Sequence, residues 1–220
     1  MKAEFDPTLY FITDSSAYTE EEFLARVEAA LDGGATLLQL REKEKSTREY
    51  IALAEKVKRL AERYHVPLII DDRVDVALAV GADGVHLGGE DMSIATARRI
   101  LGEGVIIGAT VKSVDAARSA YAEGADYLGV GAIFPTATHV RTRITSIETL
   151  TAIIRAVPIP VCAIGGLNAH NLSVLDGIGV SGICIVSAVM HAKDARAAAC
   201  ELRRLARCLT HKRLYEEENE

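Results

Sequence analysis

Residues 38–43 read Leu38-Gln39-Leu40-Arg41-Glu42-Lys43, which is the pattern of a β-strand that ends in charged residues. Along such a strand Leu38 and Leu40 face one side, whereas Gln39 and Arg41 face the other. An amide and a guanidinium on the inner face of a sheet cost free energy unless other groups pair with them. Taken alone, the stretch also fits a surface edge strand with a solvated polar face. The remainder of the chain favours an inner strand because it predicts a ring of such strands.

The composition of the chain fits a single domain with a large core. The chain has 220 residues, of which 49% are hydrophobic, and a formal net charge of −6. Lysine and arginine are spread along it without a basic stripe, which argues against a surface for nucleic acid or anionic membranes. The apolar runs are too short to span a bilayer, and residues 1–7 do not resemble a signal peptide.

The cysteines indicate a reducing compartment. Cys162 and Cys184 lie in apolar, strand-like runs, and Cys200 and Cys208 lie in a late helix-like segment. Because no Cys-x-x-Cys pair and no Cys/His ligand spacing occurs, we interpret them as reduced structural thiols. We therefore expect a cytoplasmic protein.

Short apolar runs with strand character alternate with segments of helical period along the whole chain. The predicted strands are Leu9–Ile12, Thr36–Leu40, Pro67–Ile70, Gly84–Leu87, Val105–Ala109, Tyr127–Val130, Pro160–Ile164 and Gly182–Val186. The predicted helices are Glu20–Leu31, Arg48–Tyr64, Asp75–Val80, Ile94–Leu101, Val114–Glu123, Ile147–Ala156, Ala169–Asp176 and Ala195–Leu209. Short loops between these elements predict a single α/β domain, a (β/α)8 TIM barrel over residues 1–211, with a charged, frayed tail at 212–220. A doubly wound open sheet is the alternative.

A weak internal repeat supports the barrel. Its four copies are Asp32-Gly33-Gly34-Ala35, Val80-Gly81-Ala82-Asp83, Glu123-Gly124-Ala125-Asp126 and Ile178-Gly179-Val180-Ser181. Each copy stands between a predicted helix and a predicted strand. Glycine is favoured there because a helix often ends in a left-handed residue.

In a barrel of this kind the active site lies where the strands end and the βα loops begin. The residues at those positions are Thr13 and Asp14, Arg41 to Lys43, Asp71 and Asp72, His86 with Gly88 to Asp91, Thr110, Gly131 with Phe134 to His139, Gly165 and Gly166, and Ser187. The opposite end offers mostly Gly, Ala and Pro, so we expect the chemistry at one end. His86 fits a core histidine, and Arg98 and Arg99 fit a solvated helix face.

Two features of this end predict binding sites. Asp72 and Asp91 follow adjacent strands, and gathered carboxylates that leave room for water and phosphate suit Mg²⁺; a solvated acidic rim is the alternative. The turn at Gly165-Gly166 leads into a predicted helix whose free N–H groups can hold an anion, and Val186-Ser187 does the same after the eighth strand. The alternative is that these glycines only make tight turns.

With these residues in place, the chain resembles the thiamine phosphate synthase (thiamine-phosphate pyrophosphorylase) family from about Leu9 to Met190. The motifs that carry the resemblance are Gln39 to Lys43, Asp72-Arg73-Val74-Asp75, Gly81 to Gly88 with Glu90-Asp91, Gly124 to Gly131, Phe134-Pro135-Thr136-Ala137-Thr138, Gly165-Gly166 and Ser187. Each motif is weak alone, but their order along the barrel is specific. The resemblance implies an enzyme that joins 4-amino-2-methyl-5-hydroxymethylpyrimidine diphosphate to a thiazole phosphate, giving thiamine phosphate and diphosphate.

The resemblance also implies roles. Arg41, Lys43, Thr110 and His139 take part in catalysis, and Asp72 and Asp91 hold a Mg²⁺ cofactor. Substrate contacts come from Gln39, Leu40, Arg41, Glu42, Lys43, Asp71, Thr110, Thr136, Ala137, Thr138, His139, Gly166, Val186 and Ser187. In the family the diphosphate leaves first, and the thiazole nitrogen captures the pyrimidinyl-methyl cation. The implied partners are these small molecules, with no nucleic acid and no membrane; barrels often pair, so a homo-oligomer stays open.

Three positions depart from the family pattern, which generally has Asn, Ser and Lys where Asp71, Thr110 and His139 stand. Thr110 keeps the hydroxyl. The other two changes remove a fixed cation and add an anion beside the diphosphate. We expect Arg141 or Arg143, in the same loop as His139, to replace the lost lysine.

Two other functions fit parts of the pattern. The related thiazole tautomerases share the architecture, but their acid/base histidine falls where this chain has Ala132 and Ile133. A barrel that binds thiamine precursors or phosphates without turning them over is the second alternative, and Asp71 and His139 favour it. Mg²⁺-dependent product formation distinguishes these functions from the transferase.

Overall fold

The computed structural model of the chain describes residues 4–136 and 144–217, and the strands within them close into a barrel. Neighbouring strands are parallel and follow chain order, with β1 beside β8. The strands are β1 (Leu9–Ile12), β2 (Leu37–Leu40), β3 (Leu68–Asp71), β4 (Gly84–Leu87), β5 (Ile106–Val111), β6 (Tyr127–Gly131), β7 (Val161–Ile164) and β8 (Gly182–Ile185). The predicted (β/α)8 TIM barrel is confirmed, and the open sheet is excluded.

An α-helix follows each strand except β7, and two helices follow β8. They are α1 (Glu20–Asp32), α2 (Thr47–Arg63), α3 (Val74–Val80), α4 (Ile94–Leu101), α5 (Val114–Ala122), α6 (Ile147–Ala156), α7 (Ser187–Met190) and α8 (Ala195–Glu217). Helix α8 therefore continues past the predicted end at Leu209. The frayed tail at 212–220 stays a prediction.

The barrel encloses its own small core. Its buried side chains are Tyr10, Ile12, Leu37, Ile69, Ile106, Tyr127, Cys162 and Cys184. The larger core lies between strands and helices and contains Leu38 and Leu40. Strand β2 therefore points these leucines outward and Gln39 inward, which is the alternation that its sequence predicts.

The internal repeat closes the amino-terminal end of the barrel. Its glycines Gly34, Gly81, Gly124 and Gly179 all have positive φ, between 61° and 99°, so the predicted left-handed residues are confirmed. Two residues after each glycine, a polar side chain accepts a hydrogen bond from a backbone N–H at or near the start of the preceding strand. These strand-start hydrogen bonds are Leu9 N to Thr36 Oγ1, Leu68 N to Asp83 Oδ2, Ile107 N to Asp126 Oδ2 and Val161 N to Ser181 Oγ, at 2.9, 2.8, 2.8 and 3.3 Å.

Arg98 is buried, and the prediction that it is solvated is wrong. Its Nη2 lies 2.6 Å from Asp126 Oδ2, and both side chains are 9% exposed. The guanidinium also donates to the backbone carbonyls of Gly102, Val105 and Gly124. A planar group with several donors can satisfy this many acceptors at once, which is why a buried arginine is stable here.

The predicted helix at Ala169–Asp176 is also wrong. After β7 the chain forms only a short 3₁₀ turn, Leu172–Leu175. The side chain of Asn171 accepts from the backbone N–H of Asn168 and donates to the Gly166 carbonyl, at 2.8 and 2.9 Å. Asparagine favours such local bonds over a helix, and here it folds the segment into a loop.

Candidate active site

The carboxyl ends of β2 and β3 bring together a cluster of opposite charges. Lys43 Nζ lies 2.8 Å from Asp71 Oδ2 and forms a shorter ion pair with Asp72. Arg41 Nε lies 3.7 Å from the same Asp71 oxygen. Although both cations are close, Asp71 Oδ2 is buried and has no hydrogen bond aligned on it. The two predicted catalytic cations therefore share one buried carboxylate.

The pKa values of the carboxyl groups reflect this crowding. Burial and the neighbouring Asp72 raise the pKa of Asp71 to about 6, although Lys43 and Arg41 oppose the shift. Burial also raises the pKa of Asp91, and the approach of Asp72 raises it further. Burial alone would lower the pKa of Lys43, but Asp71 and Asp72 raise it overall, so the lysine stays protonated.

Asp72 and Asp91 are held from opposite sides. Asp72 has φ of 58°, in the left-handed region, and its N–H donates to the His86 carbonyl of β4 at 2.8 Å. Such a conformation is tolerated better by Asp than by most residues. Asp91 Oδ2 accepts from the Gly88 N–H at 2.7 Å, which folds the β4 loop back on itself. The two predicted metal ligands thus come close enough for each to affect the other.

The donors of this cluster fit Mg²⁺ held together with a substrate. Among the side chains of residues 4–136 and 144–210, no group of three or more His, Cys, Asp and Glu is arranged to hold a metal ion without help. Mg²⁺ is commonly bound by one or two carboxylates together with substrate phosphates and water. Asp72 and Asp91 supply two carboxylates. These repel each other, and a bound cation would relieve the repulsion.

A line of polar side chains, buried except at its outer end, crosses the barrel interior from β2 to the mouth. Gln39 Nε2 donates to Tyr10 Oη at 2.6 Å, and Tyr10 Oη lies 2.6 Å from Tyr127 Oη. His86 Nδ1 lies 3.0 Å from Tyr127 Oη, and His86 Nε2 lies 2.8 Å from Thr110 Oγ1. We call these five residues the polar chain. Burial lowers the pKa of His86 to about 4, so its ring is neutral at pH 7.

Two glycines make room for the polar chain. A Cβ on Gly108 of β5 would lie 2.0 Å from Tyr127 Cζ, and a Cβ on Gly129 of β6 would lie 3.3 Å from His86 Cε1. The first distance is far inside van der Waals contact, so only glycine allows the tyrosine ring to lie across β5. The local sequence is therefore adapted to this arrangement of rings.

The loops after β6 and β7 pack directly on each other. A Cβ on Gly165 would lie 2.4 Å from Ala132 Cβ, and a Cβ on Gly166 would lie 2.7 Å from Phe134 Cβ. Both glycines also have positive φ. They therefore make a tight turn, and this turn packs the loop after β7 (loop 7) against the loop after β6 (loop 6). Of the predicted loop 6 contacts, Thr136 lies in this region, whereas Ala137, Thr138, His139, Arg141 and Arg143 lie outside the described residues.

The remaining predicted substrate contacts differ in what they present. Ser187 is exposed and begins α7 directly after β8, with Val186 just before it. Leu40 packs its side chain in the outer core, and its carbonyl accepts from Tyr50 Oη at 2.7 Å. Glu42 is buried: Oε2 accepts from Ser15 Oγ at 2.8 Å, and burial raises its pKa. Leu40 therefore shapes the strand end, whereas the second carboxylate oxygen of Glu42, Oε1, is buried without a hydrogen-bond partner among the described residues.

Comparisons with known proteins follow this geometry. The family model described as thiamine monophosphate synthase matches residues 9–189. The chain belongs to the thiamine monophosphate synthase family. It is 47% identical over 202 residues to the thiamine-phosphate synthase of Ruminiclostridium cellulolyticum, a match that covers 92% of this chain and 96% of the relative. It is 48% identical over 189 residues to thiamine-phosphate synthase 2 of Streptococcus pneumoniae, covering 86% and 90%.

A solved structure of the family has the same fold. The thiamine phosphate pyrophosphorylase from Pyrococcus furiosus superposes with a TM-score of 0.85 at 44% identity, covering 93% of this chain and 97% of that one. The predicted resemblance to this family is thus confirmed. Among the described residues, no helix is long and apolar enough to cross a membrane.

Within this family barrel, the structure adds residues that the sequence pattern did not single out. Tyr10 and Tyr127 were ordinary strand residues in the pattern, yet their hydroxyl groups meet inside the barrel, 117 positions apart in sequence. Gly108 carried the only local signal, because a glycine inside a strand indicates close approach of another group. His86, in contrast, is a core histidine with both ring nitrogens engaged, as predicted.

Proposed function

We propose that the chain joins 4-amino-2-methyl-5-hydroxymethylpyrimidine diphosphate to a thiazole phosphate, releasing diphosphate and forming thiamine phosphate. The thiazole substrate is 4-methyl-5-hydroxyethylthiazole phosphate or its carboxylated form, which must also release CO₂ to give the same product. The observation that carries this proposal is the position of Lys43, between Asp71 and Asp72 at the carboxyl end of a family barrel. A cation beside two acidic groups is suited to a substrate that brings several negative charges and a metal ion.

Arg41 and Lys43 would bind the diphosphate. An arginine and a lysine at the end of one strand offer a fork of donors and a compact point charge, and both recognise phosphate oxygens. Asp71 keeps the two cations close together before substrate binds. This arrangement lowers the cost of ordering two long side chains, but the negative charge of Asp71 beside the diphosphate outweighs that gain.

Asp72 and Asp91 would hold Mg²⁺. The bound ion would supply positive charge to the diphosphate oxygens, on which negative charge develops. Asp72 would keep its ion pair with Lys43. The hydrogen bond from the Gly88 N–H to Asp91 Oδ2 would hold the Asp91 carboxylate in place.

The reaction needs no nucleophile from the protein. The bond between the pyrimidine methylene carbon and the diphosphate oxygen breaks, and both electrons leave with the diphosphate. The resulting pyrimidinyl-methyl cation accepts the lone pair of the thiazole nitrogen, which forms the new carbon–nitrogen bond. Positioning and stabilisation of the leaving charge supply the rate enhancement, and a barrel mouth that excludes water protects the cation.

Loops 6 to 8 would bind the thiazole phosphate. Thr136 offers a hydroxyl, and Gly166 packs against Phe134 and Pro135 just before it. Ser187 is exposed and begins the short helix α7 directly after β8. Thr138 and His139 of loop 6 complete this predicted set.

The tautomerase alternative lacks an acid/base residue. Ala132 and Ile133 are buried, apolar residues and cannot transfer a proton. No described feature at that position favours an isomerase.

An endpoint assay tests the proposed function. Purified protein is mixed with the pyrimidine diphosphate and the thiazole phosphate, with Mg²⁺ or with a chelator, and thiamine phosphate is read as its fluorescent thiochrome. Product that forms only with Mg²⁺ is the expected result. Binding of either substrate without product would support the non-catalytic alternative, and isomerised thiazole phosphate would support the tautomerase.

We infer a cytoplasmic location and small-molecule partners. The cysteines among the described residues are all free thiols, and Cys162 and Cys184 are buried, which supports a reducing compartment. The homo-oligomer stays a prediction, for which size-exclusion chromatography with light scattering is the measurement.

A further inference from the structure

The polar chain has a direction. Gln39 presents its amide N–H₂ to Tyr10 Oη, so Tyr10 accepts at this bond and keeps its own hydrogen. The phenol oxygen of Tyr127 lies 2.6 Å from Tyr10 Oη and is the acceptor for that hydrogen. Each hydroxyl has a single hydrogen to give, so each assignment decides the next one.

The same reasoning continues to the barrel mouth. Tyr127 has accepted from Tyr10, and its own hydrogen points to His86 Nδ1 at 3.0 Å. The buried imidazole is neutral and carries one hydrogen, which must then be on Nε2. Nε2–H donates to Thr110 Oγ1 at 2.8 Å. The hydroxyl hydrogen of Thr110 therefore has no acceptor within the polar chain and is left for another group.

The opposite direction is less favourable. If Thr110 donated to His86, then Nδ1–H would donate to Tyr127, and Tyr127 would donate to Tyr10. Tyr10 would accept from both Gln39 and Tyr127, and its own hydrogen would need a third partner in an apolar interior. A buried donor without an acceptor costs free energy, so the orientation of Gln39 selects the outward direction.

We propose that Gln39, Tyr10 and Tyr127 are positioning residues that keep the proton of His86 on Nε2, so that Thr110 donates its hydroxyl hydrogen to a phosphate oxygen of the diphosphate substrate. Thr110 is exposed on β5, next to the strand that carries the Asp91 loop. A hydroxyl that already accepts from His86 is a better donor to an anion. The role of Thr110 toward diphosphate rests on the proposed function, whereas the direction of the polar chain does not.

The first test reads the proton on His86 directly. The chain has six histidines, so ¹⁵N-labelled protein is compared with the His86→Asn variant to assign the ring signals. Two-bond ¹H–¹⁵N correlation spectra then distinguish the Nε2–H and Nδ1–H forms. We expect Nε2–H in the wild-type protein and in the control Tyr18→Phe, whose lost hydroxyl donates to the Met190 carbonyl instead. Nδ1–H in the wild-type protein would overturn the proposal.

The second test asks whether the polar chain acts through Thr110. We expect Tyr127→Phe to give a mixture of the two tautomers and to lower kcat/KM for the pyrimidine diphosphate in proportion to the loss of the Nε2–H form, about 2-fold for an equal mixture. KM for the thiazole phosphate should stay unchanged. In a Thr110→Val background, Tyr127→Phe should have no further effect on kcat/KM. In a Thr110→Ser background, which keeps the hydroxyl, Tyr127→Phe should lower kcat/KM again.

The outcomes separate the two proposals. If Tyr127→Phe lowers kcat/KM equally in both backgrounds, its effect is structural and the polar chain proposal fails. If wild-type protein forms no thiamine phosphate, the proposed function fails, yet the tautomer of His86 is still read without any substrate. Thermal unfolding of each variant checks that it is folded before it is measured.

Discussion

Lys43 Nζ lies 2.8 Å from the buried Oδ2 of Asp71. Lys43 pairs with Asp71 in the free protein, and its charge is also the one that would bind the diphosphate of the substrate. The pair is therefore the point at which this barrel can be tuned toward or away from tight diphosphate binding.

We expect Asp71→Asn to tighten binding of the pyrimidine diphosphate about 3- to 10-fold at pH 7.5, because a negative charge beside the substrate is removed. The measurement is KM at saturating Mg²⁺. Asp115→Asn, which removes an exposed carboxylate of α5, is the matched control. Weaker diphosphate binding by Asp71→Asn would mean that Asp71 holds Lys43 in place more than it competes with substrate.

Asp91→Asn should raise the Mg²⁺ concentration needed for half-maximal activity by about 10-fold or more, because a ligand charge is lost. The asparagine Oδ1 can still accept from the Gly88 N–H, so the loop itself is expected to keep its shape. The measurement is product formation over a Mg²⁺ titration. Glu90→Gln, the exposed neighbour, is the control. Equal Mg²⁺ requirements in the two variants would show that Asp91 is not a ligand of the metal.

The ion pair between Arg98 and Asp126 should contribute strongly to stability. We expect Asp126→Ala to lower the free energy of unfolding by about 3–5 kcal/mol, because it leaves a buried arginine without its carboxylate. Asp83→Ala removes only the equivalent strand-start hydrogen bond and should cost about 1–3 kcal/mol. Urea unfolding measures both. Equal losses would show that the arginine finds other partners.

His86 should make the protein less stable as the pH falls. Its pKa is lowered to about 4 in the folded protein, from 6.5 in the unfolded chain, so the unfolded chain binds the proton more tightly. The stabilisation is present above pH 6.5 and is lost as the pH falls through this window toward 4. Between pH 7 and pH 5 the loss amounts to about 2 kcal/mol.

The measurement for this prediction is urea unfolding at both pH values, in wild-type protein and in His86→Gln. We expect wild-type protein to lose about 2 kcal/mol more than the variant over this interval. Comparison within one pair of proteins cancels the opposite contribution of Asp71, whose pKa is raised. His170→Gln, which removes an exposed histidine, should behave as wild type does. Parallel pH profiles for wild type and His86→Gln would contradict the prediction.

The barrel and the end at which its chemistry lies follow from local sequence patterns. Alternation places Gln39 inside and Leu38 outside because a strand has a period of two, whatever its neighbours are. The repeated glycines mark helix ends for an equally local reason. Charged residues after the strands then have only one end of the barrel to occupy.

Long-range partners could not be predicted in the same way. Arg98 has the spacing of a surface residue, and only the fold brings Asp126 of a later segment to it. Tyr10 and Tyr127 meet across the barrel for the same reason. The helix expected at Ala169–Asp176 fails because Asn171 bonds locally, which is a competition that apolar period does not register.

The strand-start hydrogen bonds fall into two separate sets along the chain, whereas the predicted site residues come from both halves of the barrel. Two of them lie wholly before Gly102 and two wholly after Gly104, so none joins the first four strands to the last four. The Arg98–Asp126 ion pair does cross this boundary. Each half of the barrel therefore carries its own two strand-start hydrogen bonds, and a cut at residues 102–104 would give two fragments that keep them and can be tested for reassembly.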